Sequence, residues 1–149
     1  MEFENQYGLY ENACAGATVW MVTNYYGRGG EWTVEDIQND IVGGDYPVNF
    51  LLLSNYLEEA YALDTEIVVT YEPIISMLEE AGLFVDHIKI VEDIPHDTPV
   101  IWIYLTVPHW VVRYDGLNFD PARGVYKFED TEDIYKPELG LGIVVTKEK

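Results

Sequence analysis

The sequence has little cysteine, little histidine and no long apolar segment. Its 149 residues include one cysteine, Cys14, so no disulfide can form within the chain, and a reducing compartment is expected. Three scattered histidines and one cysteine do not supply a cluster of metal ligands, so we expect neither a metal nor another cofactor. The longest uncharged stretch, Asn12 to Gly27, is too short and too polar at its ends to cross a bilayer. Since the N-terminus lacks a basic export signal, the predicted location is cytoplasmic, without membrane contact.

Positive charge is also scarce. Eight Lys and Arg residues stand against 27 Asp and Glu residues, which gives a net charge of −19. Residues 1–86 hold sixteen acids and one base, Arg28, whereas the rest of the chain holds eleven acids and seven bases. Such a field repels nucleic-acid phosphates and anionic lipids, so direct nucleic-acid binding is not expected. It favours a cationic partner, although solubility is an equally good explanation of the charge.

Helix patterns dominate the first half of the chain and strand patterns the second. The predicted helices are Asn12–Gly27, Thr33–Ile41, Pro47–Leu63 and Glu72–Gly82. The predicted strands are Glu66–Thr70, Leu83–Val91, Pro99–Thr106, His109–Tyr114, Leu117–Asp120, Val125–Phe128 and Leu141–Lys147. This order predicts one α+β domain over residues 1–149, in which N-terminal helices pack on a C-terminal antiparallel sheet.

Cys14 lies near the start of the first predicted helix. Asn12 is a suitable N-cap and Gly27 a suitable stop, and apolar residues cover most of the helix circumference, which indicates a buried helix. Unpaired backbone N–H groups at a helix N-terminus favour a thiolate. A cysteine on an apolar helix is more often a small buried hydrophobe, so the position of Cys14 does not by itself indicate a reactive thiol.

The Asp115-Gly116 dipeptide predicts a two-residue hairpin turn. With that turn, His109 and Asp120 become diagonal neighbours on one face of the two strands, where a carboxylate can orient an imidazole. The alternative is an ordinary histidine at a strand end and an ordinary Asp-Pro turn. The remaining histidines, His87 and His96, lie outside this arrangement.

Three segments carry a family resemblance. Residues 12–27, Asn-Ala-Cys-Ala-Gly-Ala-Thr-Val-Trp-Met-Val-Thr-Asn-Tyr-Tyr-Gly, resemble the cysteine helix of papain-like cysteine peptidases. Residues 109–116, His-Trp-Val-Val-Arg-Tyr-Asp-Gly, resemble the histidine strand of that family, and residues 118–124, Asn-Phe-Asp-Pro-Ala-Arg-Gly, its aspartate segment. The resemblance is strongest to the bacteriocin-leader (double-glycine) peptidase branch and its stand-alone relatives. Because no transporter sequence follows, we expect a protein of the stand-alone kind.

The resemblance implies a role for each of four residues. It makes Cys14 the nucleophile, His109 the base, Asp120 the orienting acid and Gln6 the side chain of the oxyanion hole. Two departures from the family pattern concern the same region. Ala15 follows the cysteine where the family has glycine, and the glutamine stands eight residues before the cysteine rather than six. Asn12 is therefore an alternative oxyanion donor.

The resulting hypothesis is a cysteine hydrolase or acyltransferase that acts on a peptide or amide bond of a peptide or protein substrate. The rival hypothesis is an inactive acidic binding protein on the same scaffold. Such a protein, as made by some viruses, would occupy the nucleic-acid site of a basic partner by mimicking its charge.

Overall fold

The computed structural model describes residues 1–3, 14–43, 49–82, 87–105, 109–128 and 139–147. These residues form helices and strands in the order that follows. The helices are α1 Cys14–Tyr25, α2 Val34–Val42, α3 Phe50–Tyr61 and α4 Pro73–Glu80. The strands are β1 Leu63–Val69, β2 Ile88–Ile90, β3 Val100–Tyr104, β4 His109–Tyr114, β5 Leu117–Asp120, β6 Gly124–Lys127 and β7 Gly140–Lys147. None of the helices in these ranges is long and apolar enough to cross a membrane.

The strands form one sheet with the order β2-β1-β7-β3-β4-β5-β6. Neighbouring strands run antiparallel except β1 and β2, which are parallel. The predicted antiparallel sheet is therefore present, with one parallel pair added at this edge. The reason is that α4 connects β1 to β2, and a helical crossover returns the chain in the same direction. The α+β class is confirmed, although β1 precedes the last helix.

Three predicted elements differ from the observed ones by three residues or more at one end, and one of them is β1, which begins at Leu63 rather than Glu66. The third helix begins at Phe50 rather than Pro47, because Asn49 caps it by accepting a hydrogen bond from the Leu51 N–H at 2.8 Å. It ends at Tyr61, since the next residue is left-handed, and β1 follows at once. Residues 83–86 of the predicted strand Leu83–Val91 lie outside the described ranges, and Ile88–Ile90 is the extended part of the remainder.

The main core lies between the helices and one face of the sheet, and α1 packs against both β4 and α2. Gly16 allows the close approach of α1 to α2. Its N–H donates to the buried Gln38 side chain at 3.2 Å, and a Cβ there would lie 3.1 Å from the Val34 carbonyl oxygen. The predicted cap of α2 is present: Thr33 and Asp36 form a reciprocal capping box. These contacts fix where α1, and therefore Cys14, meets the sheet.

The opposite face of the sheet is also covered around its centre. A smaller buried cluster there consists of Ile94, Val100, Trp102, Tyr104 and Val111. Strand β7 leaves room for the Trp102 indole, because a Cβ on Gly140 or Gly142 would press against that ring. The central strands are thus apolar on both faces, which explains their nearly continuous burial.

Candidate active site

Cys14 is the first residue of α1 and is 8% exposed. The predicted helix N-cap, Asn12, lies outside the described residues, as does Gln6. The end of the helix is as predicted, since Gly27 has a φ of +72° just beyond the last turn. Because α1 packs on β4, the start of the helix brings the cysteine to the first residue of that strand, His109.

The hairpin that carries His109 has the predicted register. Asp115 and Gly116 have φ values of 54° and 75°, and a two-residue turn of this kind requires both residues to be left-handed. Tyr114 lies opposite Leu117, and Arg113 opposite Asn118, as expected from that turn. Asp120 is therefore diagonal to His109, and His109 Nε2 lies 2.6 Å from Asp120 Oδ1.

Asp120 is fully buried and accepts three hydrogen bonds. His109 Nε2 and the Ala122 N–H, at 2.9 Å, both reach Oδ1, and the Tyr126 hydroxyl donates to Oδ2 at 2.8 Å. Burial works to raise the pKa of the carboxyl group, but the His109 contact and the other two donors outweigh it and lower the pKa. Asp120 is therefore a carboxylate held in one orientation.

Sequence reasoning did not identify Tyr126 as part of this site. Burial and the hydrogen bond to Asp120 raise the pKa of its hydroxyl above the usual range, so it remains a donor. Its position follows from the pairing of β5 with β6, which sets Tyr126 opposite Asn118 and on the face of Asp120. The sequence predicts the strand Val125–Phe128, but it does not predict the turn that pairs this strand with β5.

His109 lies between a carboxylate and a thiol. Burial works to lower the pKa of the imidazole, whereas hydrogen bonds to Asp120 and to Cys14 raise it, to about 9. The ring is therefore a cation at neutral pH. Because Nε2 contacts Asp120, Nδ1 is the ring nitrogen left for the Cys14 sulfur.

The other histidines are separate from this arrangement. His87 is exposed, and His96 is exposed beside Asp93, with 3.6 Å between Nε2 and Oδ2. In the part of the chain that the structure describes, no three His, Cys, Asp or Glu side chains are grouped so that they could hold a metal ion. The cluster of Cys14, His109, Asp120 and Tyr126 thus has the parts of an acid–base and nucleophilic site.

Comparison with known proteins identifies the fold. The chain matches no protein-family model and no curated protein. It is similar to a solved double-glycine-motif protease from an AMS/PCAT transporter in complex with the leader peptide, with a TM-score of 0.60 and 21% identity over 99% of this chain and 93% of that one. It is also similar to the peptidase domain of Streptococcus ComA, a bifunctional ABC transporter of a quorum-sensing pathway. That match has a TM-score of 0.60 and 11% identity over 99% and 98% of the two chains.

One of these structures is a double-glycine-motif protease and the other is a peptidase domain, and both align with nearly the whole of this chain. The chain therefore has the papain-like α+β fold that these domains share. The resemblance found in the sequence is confirmed at the level of the fold.

Proposed function

We propose that this protein is a cysteine peptidase-like hydrolase in which Cys14, His109 and Asp120 act together. The observation that carries the proposal is the buried imidazole held between a carboxylate and the chain's only thiol. Carboxylate, imidazole and thiol stand in the order that thiol-dependent acyl transfer needs. The fold supports the proposal, since the similar solved domains are peptidases.

In the proposed reaction, the Cys14 sulfur attacks the carbonyl carbon of the scissile amide. His109 then transfers its proton to the leaving nitrogen as the C–N bond breaks, which leaves a thioester and a neutral imidazole. His109 next takes a proton from water as the water oxygen attacks the thioester, and the products are a carboxylic acid and the regenerated cysteine. An amine in place of that water would give transfer instead of hydrolysis. Gln6 remains the proposed oxyanion donor, with Asn12 as the alternative.

A peptide is the proposed substrate, because one of the similar structures was solved with a leader peptide bound. The burial of the site supports a sequence with small residues next to the scissile bond. Cys14 and His109 are each only 8% exposed, so a bulky side chain next to the attacked carbonyl would be kept from the sulfur. Glycine pairs meet this requirement. A cationic substrate remains part of the proposal, because the acids of α2, α3 and α4 are all exposed on the helical side.

Alkylation of the single cysteine tests the proposal without a known substrate. We expect iodoacetamide to modify Cys14 at pH 6 at least about tenfold faster than it modifies a free thiol, and His109→Gln to abolish the difference. Mass spectrometry gives the rate, and Cys14→Ala gives the background. An alkylation rate that follows an ordinary thiol, with no effect of His109→Gln, would contradict the proposed pair.

Turnover provides the second test. Fluorogenic peptides with Gly-Gly before the scissile bond should be cleaved by the native protein and not by Cys14→Ala, which preserves a small apolar residue at the start of α1. Equal cleavage by both proteins would show that the cysteine is not the nucleophile. A reactive thiol without cleavage of any peptide would favour the acidic binding protein.

A further inference from the structure

A cavity lies at the opposite end of β4 from His109. It has a volume of about 280 Å³, and none of the proposed reacting residues lines it. Its walls come from the hairpin turn at Asp115-Gly116, the segment before β3 and the end of β6. His109 and the turn are separated by the length of β4, about 16 Å at the usual rise of a strand. The cavity is therefore distinct from the candidate active site.

Arg113 is the buried cation of this cavity. The residue is 6% exposed, and its guanidinium carbon lies 3.4 Å from the centre of the Phe128 ring and 4.5 Å from that of Trp102. Nε donates to the Asn118 side chain at 3.3 Å, and the Tyr104 hydroxyl is a further hydrogen-bond partner. Within the described ranges, Nη2 has no hydrogen-bond partner.

No ion pair neutralises the charge of Arg113 among the described residues. Asp93 attracts the guanidinium from a longer distance, without direct contact. Burial lowers the pKa of Arg113 to about 10, which still leaves it a cation at neutral pH. A buried cation without an anion is costly, and a buried N–H group without an acceptor adds to that cost. A bound carboxylate would offset both costs, because it would pair with the cation and accept a hydrogen bond from Nη2.

The remaining lining limits the ligand. Ile94, Pro95 and Leu117 offer an apolar wall next to the Phe128 ring. We propose that the cavity is a second ligand site, which binds the carboxylate of an aromatic or apolar organic acid against the Arg113 guanidinium. A planar carboxylate matches the donor geometry of arginine, and the ring or alkyl body of the ligand packs on the apolar wall.

The charged rim sets the number of charges that the ligand can carry. Glu92, Asp93 and Asp115 line the same cavity and are exposed. They disfavour a second negative charge on the ligand, so the site selects a monocarboxylate over a phosphate dianion. The monocarboxylate can be a free organic acid or the C-terminus of a peptide that ends in an aromatic residue.

Fluorine NMR with matched probes tests this site. We expect para-fluorobenzoate to bind saturably and para-fluorobenzamide, which has the same shape but no charge, to bind at least about tenfold more weakly. A tripeptide ending in para-fluorophenylalanine, used as the free acid and as the C-terminal amide, distinguishes the two sources. Tighter binding of the peptide acid than of fluorobenzoate identifies a peptide C-terminus, and the reverse identifies a free acid.

Amino-acid substitutions test whether the probes bind in this cavity. Thr70→Trp, which fills the cavity from a half-exposed position without touching the cation, should abolish binding and leave the circular dichroism spectrum unchanged. Arg113→Gln should weaken binding of the acid at least about tenfold and leave the amide unaffected. If Arg113→Gln does not fold, the acid–amide comparison still tests the charge. Cys14→Ala should bind the probes normally, so the outcome is independent of the proposed peptidase activity.

Three results would overturn the inference. Equal binding of acid and amide would exclude recognition by the guanidinium. Unchanged binding to Thr70→Trp would place the ligand elsewhere on the protein. Absence of saturable binding by either pair of probes would mean that Arg113 has only a structural role between its two aromatic neighbours.

Discussion

Replacement of Asp120 by asparagine removes the charge that holds the buried imidazole and keeps nearly the same shape. In the native protein, His109 Nε2 lies 2.6 Å from Asp120 Oδ1. An asparagine oxygen in the same place can still accept a hydrogen bond from this nitrogen. The increase of the imidazole pKa from 6.5 to about 9 corresponds to about 3 kcal/mol in favour of the cation. Without the carboxylate, burial still lowers the pKa of His109, and the contact with Cys14 is left to oppose that effect. We therefore expect this pKa to fall below about 7.

The ring proton resonances of the three histidines give this pKa directly when they are followed by NMR as a function of pH. His87→Gln and His96→Gln assign the signals. Asp93→Asn is the matched control, because it removes the carboxylate beside the exposed His96 and should leave His109 unchanged. A His109 pKa that stays near 9 in Asp120→Asn would refute the argument that this carboxylate sets the charge of the imidazole.

Four further outcomes follow from the same contacts and charges. The raised pKa of His109 stabilises the folded protein fully below about pH 6.5, and this contribution is lost as the pH rises through about 9. Urea unfolding should therefore show a loss of up to about 3 kcal/mol between pH 6 and pH 10 that is absent from His109→Gln. Tyr126→Phe removes one donor from Asp120, and kcat should fall about tenfold; an unchanged kcat would exclude a positioning role. Gly16→Ala places a Cβ against the Val34 carbonyl and should cost about 1–3 kcal/mol in urea unfolding, whereas an unchanged midpoint would show that α1 and α2 can separate freely. Association with a Lys- and Arg-rich peptide should slow steeply as salt rises, and a rate independent of salt would leave the acidity without a part in recognition.

The hairpin could be predicted from sequence because its geometry is local. Asp115-Gly116 fixes the turn, and the turn fixes every cross-strand pair up to His109 and Asp120. The observed bounds of β4 and β5 are those predicted. Local signals also placed α1 and α2, through the stop at Gly27 and the cap at Thr33.

Contacts between segments far apart in the chain were harder to predict from the sequence. The parallel pairing of β2 depends on the path of α4 across the sheet, which no residue of β2 encodes. The contact of Tyr126 with Asp120 depends on the register of β5 and β6, which follows a loop that ends at Gly124 with a φ of 96°. Proximity of Cys14 and His109 came from the family resemblance, because helix and strand patterns do not specify which helix packs on which strand.

The division of the candidate site between two layers has a consequence for heat inactivation. His109 and Asp120 belong to one continuous hairpin and its turn, whereas Cys14 reaches them only through the docking of α1 on the sheet. A fluctuation that lifts the start of this helix separates sulfur from imidazole, while the strands keep their ladder. Such partial openings need less free energy than complete unfolding. The reactivity proposed for the thiol is thus expected to be lost at temperatures where the sheet amides still resist hydrogen exchange, so that inactivation precedes melting.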